Sequence, residues 1–432
     1  MEYVSEKVSK WVAQLEILSE IAKFDPHSAY TAFTAALRHR YTFFMRTIPN
    51  IGPLMKPVEA VIREKLIPAL TEDRKVTDDE RLLMSLPPKF GGMGLINPTQ
   101  LSDLEYKASR LATSQLTEAI RNQMEKLPDD FNAKAKADKV ETRKLRSQFY
   151  SEQVDRLRDS VRPDLLKAMN MASEKGASSW LTALPIDDMD YHLNKREFWD
   201  AVRIRYAWPI NGLPSRCACG DSFDLEHALT CKKGGFIVQR HDELRDFTAD
   251  LLEEVCHDVA VEPTLEKLTG ETLKYKSSNT ADDARLDVSA RGFWLRGQRA
   301  FFDIKVFNPI AQRYLTMSPF QAYHSNELEK KRLYNERVLQ VENGSFTPLV
   351  FSAHGGMGWE CKRFFKRLCG LIAEKRGVSV ASISSWVRTR ISFALLRSAL
   401  MCVRGTRHRY YKWNIKDADI ECQLSEAKIK SI

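Results

Sequence analysis

The chain reads as an α+β, multidomain protein. An all-α N-terminal half leads to a small cysteine–histidine knuckle and then to an α/β unit that closes on basic helices. Three observations predict this. Apolar residues recur at helical spacing through residue 125 or so. Cys217, Cys219, His227 and Cys231 then fall within fifteen residues. Beyond Gly234 the pattern becomes short apolar runs alternating with helical stretches.

The length of 432 residues predicts two to four domains of roughly 100–200 residues each. Hydrophobic residues at 43% and charged residues at 28% are globular proportions and exclude a mostly disordered chain. No apolar run approaches the roughly 18 residues that a membrane helix needs. The start, MEYVSEKVSKWV, lacks the apolar core of a signal peptide, so an intracellular location is expected.

In the first region, 1–125, Trp11, Leu15, Leu18 and Ile21 share one helical face. So do Phe33, Leu37, Tyr41 and Phe44, and later Leu101, Leu104, Ala108 and Leu111. Pro49, Pro53 and Pro57 mark joins, and Leu86–Pro98 is a breaker-rich loop. A linker, 126–214, follows. The stretch from Glu125 to Arg162 is strongly charged and predicts an extended helix pair with weak tertiary commitment. KREFWDAVRIRYAW predicts one short connector helix between prolines. The knuckle spans 215–235, the α/β unit 236–412 and a tail 413–432. In the α/β unit the pattern predicts a helix over Phe236–His257 and a strand at VAVEPTL. Two strands follow at ARLDVSARG and RAFFDIKVFNP. A helix over Asn326–Val341 and a strand at TPLVFSA complete the order. Two basic amphipathic helices, over Trp359–Lys375 and Val380–Cys402, end the unit.

The spacing Cys217-x-Cys219-x7-His227-x3-Cys231 offers three thiolates and one imidazole, a set that suits tetrahedral zinc. Gly220 lets the chain turn after the paired cysteines, and one helical turn brings His227 and Cys231 together. With four protein ligands the site would be structural. A second constellation lies in the strands. Asp303 and Lys305 share a strand face by alternation, and Asp287 on the neighbouring strand can meet them there. Two carboxylates on one face suit Mg²⁺, and a lysine can position water or counter developing charge. An earlier strand Asp followed by Asp-x-Lys is the signature of restriction-type, PD-(D/E)XK nucleases, although Leu286 stands where that pattern has proline. Glu243, Glu253, Lys331, Tyr334 and the pair Arg240-His241 are supporting candidates.

From Trp359 to Lys412 there are 13 Lys/Arg and 2 Asp/Glu, so the net +9 is concentrated there and the rest of the chain sums to −2. Lys362, Arg363, Lys366, Arg367, Arg388, Arg390, Arg404, Arg407 and Arg409 are the expected nucleic-acid contacts.

Taken together, RTIPNIGPLMKPVEAVIREKLIPAL, ERLLMSLPPKFGGMGLINP, CACGDSFDLEHALTCKKGGF, RHDELRD, GFWLRGQRAFFDIKVFNP and SFALLRSALMCVRG resemble the C-terminal part of a non-LTR retrotransposon reverse-transcriptase polyprotein. The resemblance implies a thumb-like helical region, a linker, a CCHC zinc knuckle and a restriction-like endonuclease that nicks target DNA. It implies Zn²⁺ at Cys217, Cys219, His227 and Cys231. It also implies Mg²⁺ at Asp287 and Asp303, with Lys305 completing the nicking site. Target DNA is the implied partner, with element RNA as a second candidate, and the nucleus the implied location. No aromatic-x-Asp-Asp polymerase hairpin is present. Thr77-Asp78-Asp79 and Pro128-Asp129-Asp130 read as turns or helix starts, and Thr280-Ala281-Asp282-Asp283 as a polar loop with Thr where an aromatic belongs, so polymerisation is not expected. The rival expectations are a catalytically inactive nucleic-acid-binding remnant and a helical scaffold for a protein partner.

Overall fold

A computed structural model describes residues 2–124, 126 and 130–405. The protein is mixed α+β, mostly helical, with a small mixed sheet among the described residues. The first helix, Glu2–Ala22, buries Val4, Val8, Trp11, Leu15 and Leu18, while Ile21 is 48% exposed and lies off the buried stripe. The Trp11 ring meets Tyr41 and Phe44 edge-on at 6.0 and 4.9 Å. Thr77-Asp78-Asp79 is a helix start: Thr77 and Glu80 form a capping box on Asp78–Ser85. The loop after it is pinned rather than free. Arg81 pairs with Glu59 and donates to the carbonyls of Leu95 and Ile96, and Tyr206 donates to that of Gly91.

Two expectations for the linker need correction. The charged stretch is one continuous helix, Phe131–Ser160, preceded by a short one at Ser114–Arg121. The expected connector, Lys195–Arg205, is a core element: Phe198, Asp200, Ala201, Val202, Arg203, Ile204 and Arg205 are all buried. Its charges are matched by distant partners. Arg203 pairs with Glu72, Arg205 donates to the carbonyls of Gly91 and Gly92, and Asp200 receives Arg404. Those partners lie far along the chain, which is why the local pattern read the segment only as a connector.

The sheet order is β1 (His257–Val261), β2 (Val288–Arg291), β3 (Arg299–Phe307) and β4 (Ser345–Ser352). The first three strands are antiparallel neighbours, and β4 runs parallel to β3 after a crossover helix, Pro319–Gln340. A leading helix, Phe236–Glu253, precedes β1. On one sheet face Val288, Phe302, Ile304, Leu349 and Phe351 pack against the leading helix and against the helix Trp359–Arg376. The opposite face carries Phe301, Phe307, Phe346 and Val350, packed on crossover-helix residues Val338 and Tyr323. Asp303 and Lys305 fall on this second face by alternation.

The terminal helix, Val380–Arg404, serves two cores. Ile383, Val387, Ile391 and Leu395 belong to the sheet core, whereas Phe393, Leu396, Leu400 and Val403 complete the N-terminal helical core.

Glu174 sits where the two regions meet. Tyr323 donates to it at 2.6 Å, and Gly356 packs so closely that an added Cβ would lie 1.9 Å from its carboxylate. Burial pushes this carboxyl up from 4.5 to about 7, only partly opposed by Tyr323 and Lys362. The folded state therefore holds a proton that the unfolded chain has released between those pH values. Stability is expected to fall as pH rises from 4.5 through 7, by on the order of 3 kcal/mol. Urea unfolding from pH 4 to pH 8 checks this, and the slope should flatten in Glu174→Gln; an unchanged slope would remove Glu174 as its source.

Candidate functional site

The knuckle is built by a tight turn and a short helix. Arg216 and Ser222 form an antiparallel bridge, and between them Gly220, at φ +104°, donates its N–H to the Cys217 carbonyl at 2.9 Å. Asp224 then caps the helix Leu225–Thr230 by accepting the His227 N–H. The result brings Cys217 Sγ to 3.8 Å from Cys231 Sγ and Cys219 Sγ to 3.3 Å from His227 Nε2. All four ligand atoms lie within 4.8 Å of one another. This Cys3His group could bind a metal ion and is compatible with zinc. Burial raises the Cys217 thiol, but hydrogen bonds from the Cys219 backbone and from the clustered side chains outweigh it and bring it down to about 7.

The second constellation also assembles, with changed membership. Asp287 lies just before β2, not within it. One step beyond the Val288↔Phe302 pair, the register sets it opposite Asp303. Its Oδ2 accepts the Ile304 N–H and lies 3.1 Å from His241 Nε2. That contact, against the cost of burial, raises His241 to about 9, so the imidazole is protonated near neutrality. Asp303 is 4% exposed. Lys330 Nζ stands 2.7 Å from its Oδ2, yet that oxygen has no well-aligned hydrogen-bond donor. Burial pushes Asp303 up to about 6; Lys330 pulls it back and the Asp287 charge adds to the rise. Each carboxylate thus meets a cation, Asp287 with His241 and Asp303 with Lys330.

The other nominated residues have other partners. Lys305 is engaged by Glu329 at 2.8 Å. Lys331 pairs with Glu360. Tyr334 packs on Phe346, and Lys330 rests 5.8 Å over its ring. Glu243 accepts from Ser398 on the terminal helix, Glu253 is exposed at the end of the leading helix, and Arg240 is buried. The residues that sequence reasoning passed over are Lys330 and the role of His241. A signal existed for Lys330: it lies on the stripe Tyr323, Asn326, Lys330, Tyr334, Arg337 that faces inward at helical spacing.

The basic residues divide by partner. Arg404 is bound to Asp200 at 2.6 and 2.8 Å, and Asp200 is fully buried, so its charge is already satisfied inside the fold and it is withdrawn as a nucleic-acid contact. Arg367 donates to the Phe293 carbonyl at 2.6 Å. Lys362 lies over the Tyr323 ring, Arg388 packs beside Gly176 and Arg390 is exposed near Glu243. Arg363 and Lys366 are exposed and have no acidic partner among the described residues. Arg407 and Arg409, with the tail 413–432, lie outside the described residues. No helix among the described residues is long and apolar enough to cross a membrane. No family model matches the chain, and no curated protein is detectably similar to it in sequence.

Proposed function

We propose that this protein is a metal-dependent DNA endonuclease of a retroelement that nicks a target strand on a restriction-endonuclease-like core. The observation that carries the reading is Asp287 set opposite a buried Asp303 on neighbouring strands. The order helix, three antiparallel strands, crossover helix and parallel strand agrees with it. A buried carboxylate oxygen without an aligned donor, beside a second carboxylate, is a donor set that fits a divalent cation. Asp287 and Asp303 would hold Mg²⁺. Bound there, the ion would polarise the phosphate and lower the pKa of an attacking water. Lys330, held at Asp303, is the lysine positioned to orient that water or to offset charge on the phosphate. Lys305 shares the face, but Glu329 holds it. Cys217, Cys219, His227 and Cys231 would hold a structural zinc, since no ligand position is left open for chemistry.

Relaxation of supercoiled plasmid by the purified chain, with and without added Mg²⁺, tests the reading. Nicking should require the metal. Lys330→Ala should lower it by about a hundredfold, the scale for losing one preorganised charge, and Lys305→Ala by less than about tenfold. A chain that shifts DNA in a gel but never nicks would be the binding remnant instead.

A further inference from the structure

The helix Trp359–Arg376 and the β2–β3 turn enclose an open groove of about 770 Å³, away from the carboxylates. Its lining includes Trp294, Leu295, Gln298, Arg363 and Lys366. The groove is held rigid. Trp294 donates its Nε1–H to Thr347 Oγ1 at 3.0 Å, its ring meets Phe293 edge-on at 4.7 Å, and Arg367 ties the turn to the helix through the Phe293 carbonyl. Arg363 lies between two indoles, 4.8 Å from the Trp294 centroid and 5.8 Å from that of Trp359. Trp359 is 60% exposed at the groove's flank and Leu295 is 63% exposed. Large apolar surface held open beside unpaired cations suits a ligand that brings flat apolar faces and negative charge together. Unstacked nucleotides have both. A duplex presents its phosphates but keeps its base faces stacked inward, so it would leave the indoles unused.

We propose that this groove binds single-stranded DNA, with Trp359 and Trp294 as stacking platforms and Arg363 and Lys366 as phosphate contacts. The choice of DNA rests on the nuclease reading; the single-stranded character rests on the exposed Trp359 indole beside the half-buried Trp294. The groove would hold an unpaired stretch of the strand next to the cut.

Anisotropy of a labelled oligo-dT of about 12 nucleotides, within the span of one such binding face, tests this without added Mg²⁺ and without chelator, using the full chain. Trp359→Ala should weaken binding by about fivefold to a hundredfold, the range for losing one base stack, and Trp359→Phe should restore most of it. Because Trp359 is exposed, this variant keeps the packing that Trp294→Ala would disturb. Arg363→Gln should weaken binding and reduce the salt slope by about one charge. Duplex of equal length should change little in Trp359→Ala. The proposal fails if oligo-dT binding is unchanged in Trp359→Ala, if duplex loses as much, or if RNA of matching sequence binds more tightly. Plasmid nicking, scored in parallel, separates the two readings. Nicking with oligo binding indifferent to Trp359 keeps the nuclease and removes the groove. Binding that depends on Trp359, in a chain that never nicks, keeps the groove and removes the nuclease.

Discussion

Replacing Asp303 with alanine is expected to abolish plasmid nicking while duplex binding stays within about threefold, because phosphate contacts, not the cation site, carry affinity. A lost metal ligand removes several kcal/mol of transition-state stabilisation, about a thousandfold in rate at about 1.4 kcal/mol per tenfold. The cations nominated for binding, Arg363 and Lys366, lie on a different helix from Lys330 and are untouched by the change. Alanine also strips the mostly buried Lys330 of its counter-ion, so part of any loss would be folding. Asp303→Asn keeps the shape and serves as the control. Melting curves beside the nicking gel separate the two effects. Nicking within about tenfold of wild type in Asp303→Asn, with normal folding in both, would remove Asp303 from the site.

The second large effect is expected at the knuckle. Cys231→Ser should take bound zinc from about one ion per chain to near zero and weaken the fold by several kcal/mol, since metal binding to such a site is folding free energy. The consequence should spread. Leu229 and Phe236 belong to the helical core, Glu226 accepts the Gln312 N–H, and Asn308 donates to the Glu226 carbonyl. Faster amide exchange is therefore expected in 215–235 and also in 308–314, just past β3, with the Glu2–Ala22 helix unaffected. Elemental analysis and exchange by mass spectrometry check it. Absence of zinc from protein purified without chelator would sink the assignment.

Local patterns were the legible part of this chain. Alternation placed β3 and β4 close to their observed bounds, and the run around His227 implied the four-ligand cluster. Choices among adjacent residues were not legible. Lys330 and Lys331 differ by one step on a helix, about 100° of rotation, which decides whether the lysine meets Asp303 or Glu360. Two steps separate His241, at Asp287, from Glu243, at Ser398. Pairings across the chain were hidden altogether. Nothing near Arg404 announces Asp200, 204 positions away, and without that partner the arginine reads as one more surface cation.

The two cores that share the terminal helix impose an order on biogenesis. Trp180 donates its backbone N–H to Ser392 Oγ, 212 positions later, and the N-terminal helical core is closed by Phe393, Leu396, Leu400 and Val403. While the chain is being made, the first half leaves the ribosome long before the segment that covers it. At about 5–20 residues per second, a gap of that length lasts some tens of seconds, during which the apolar face beneath Phe393 and Leu396 is open to wrong partners. Both halves become complete together, once the helix Val380–Arg404 has emerged.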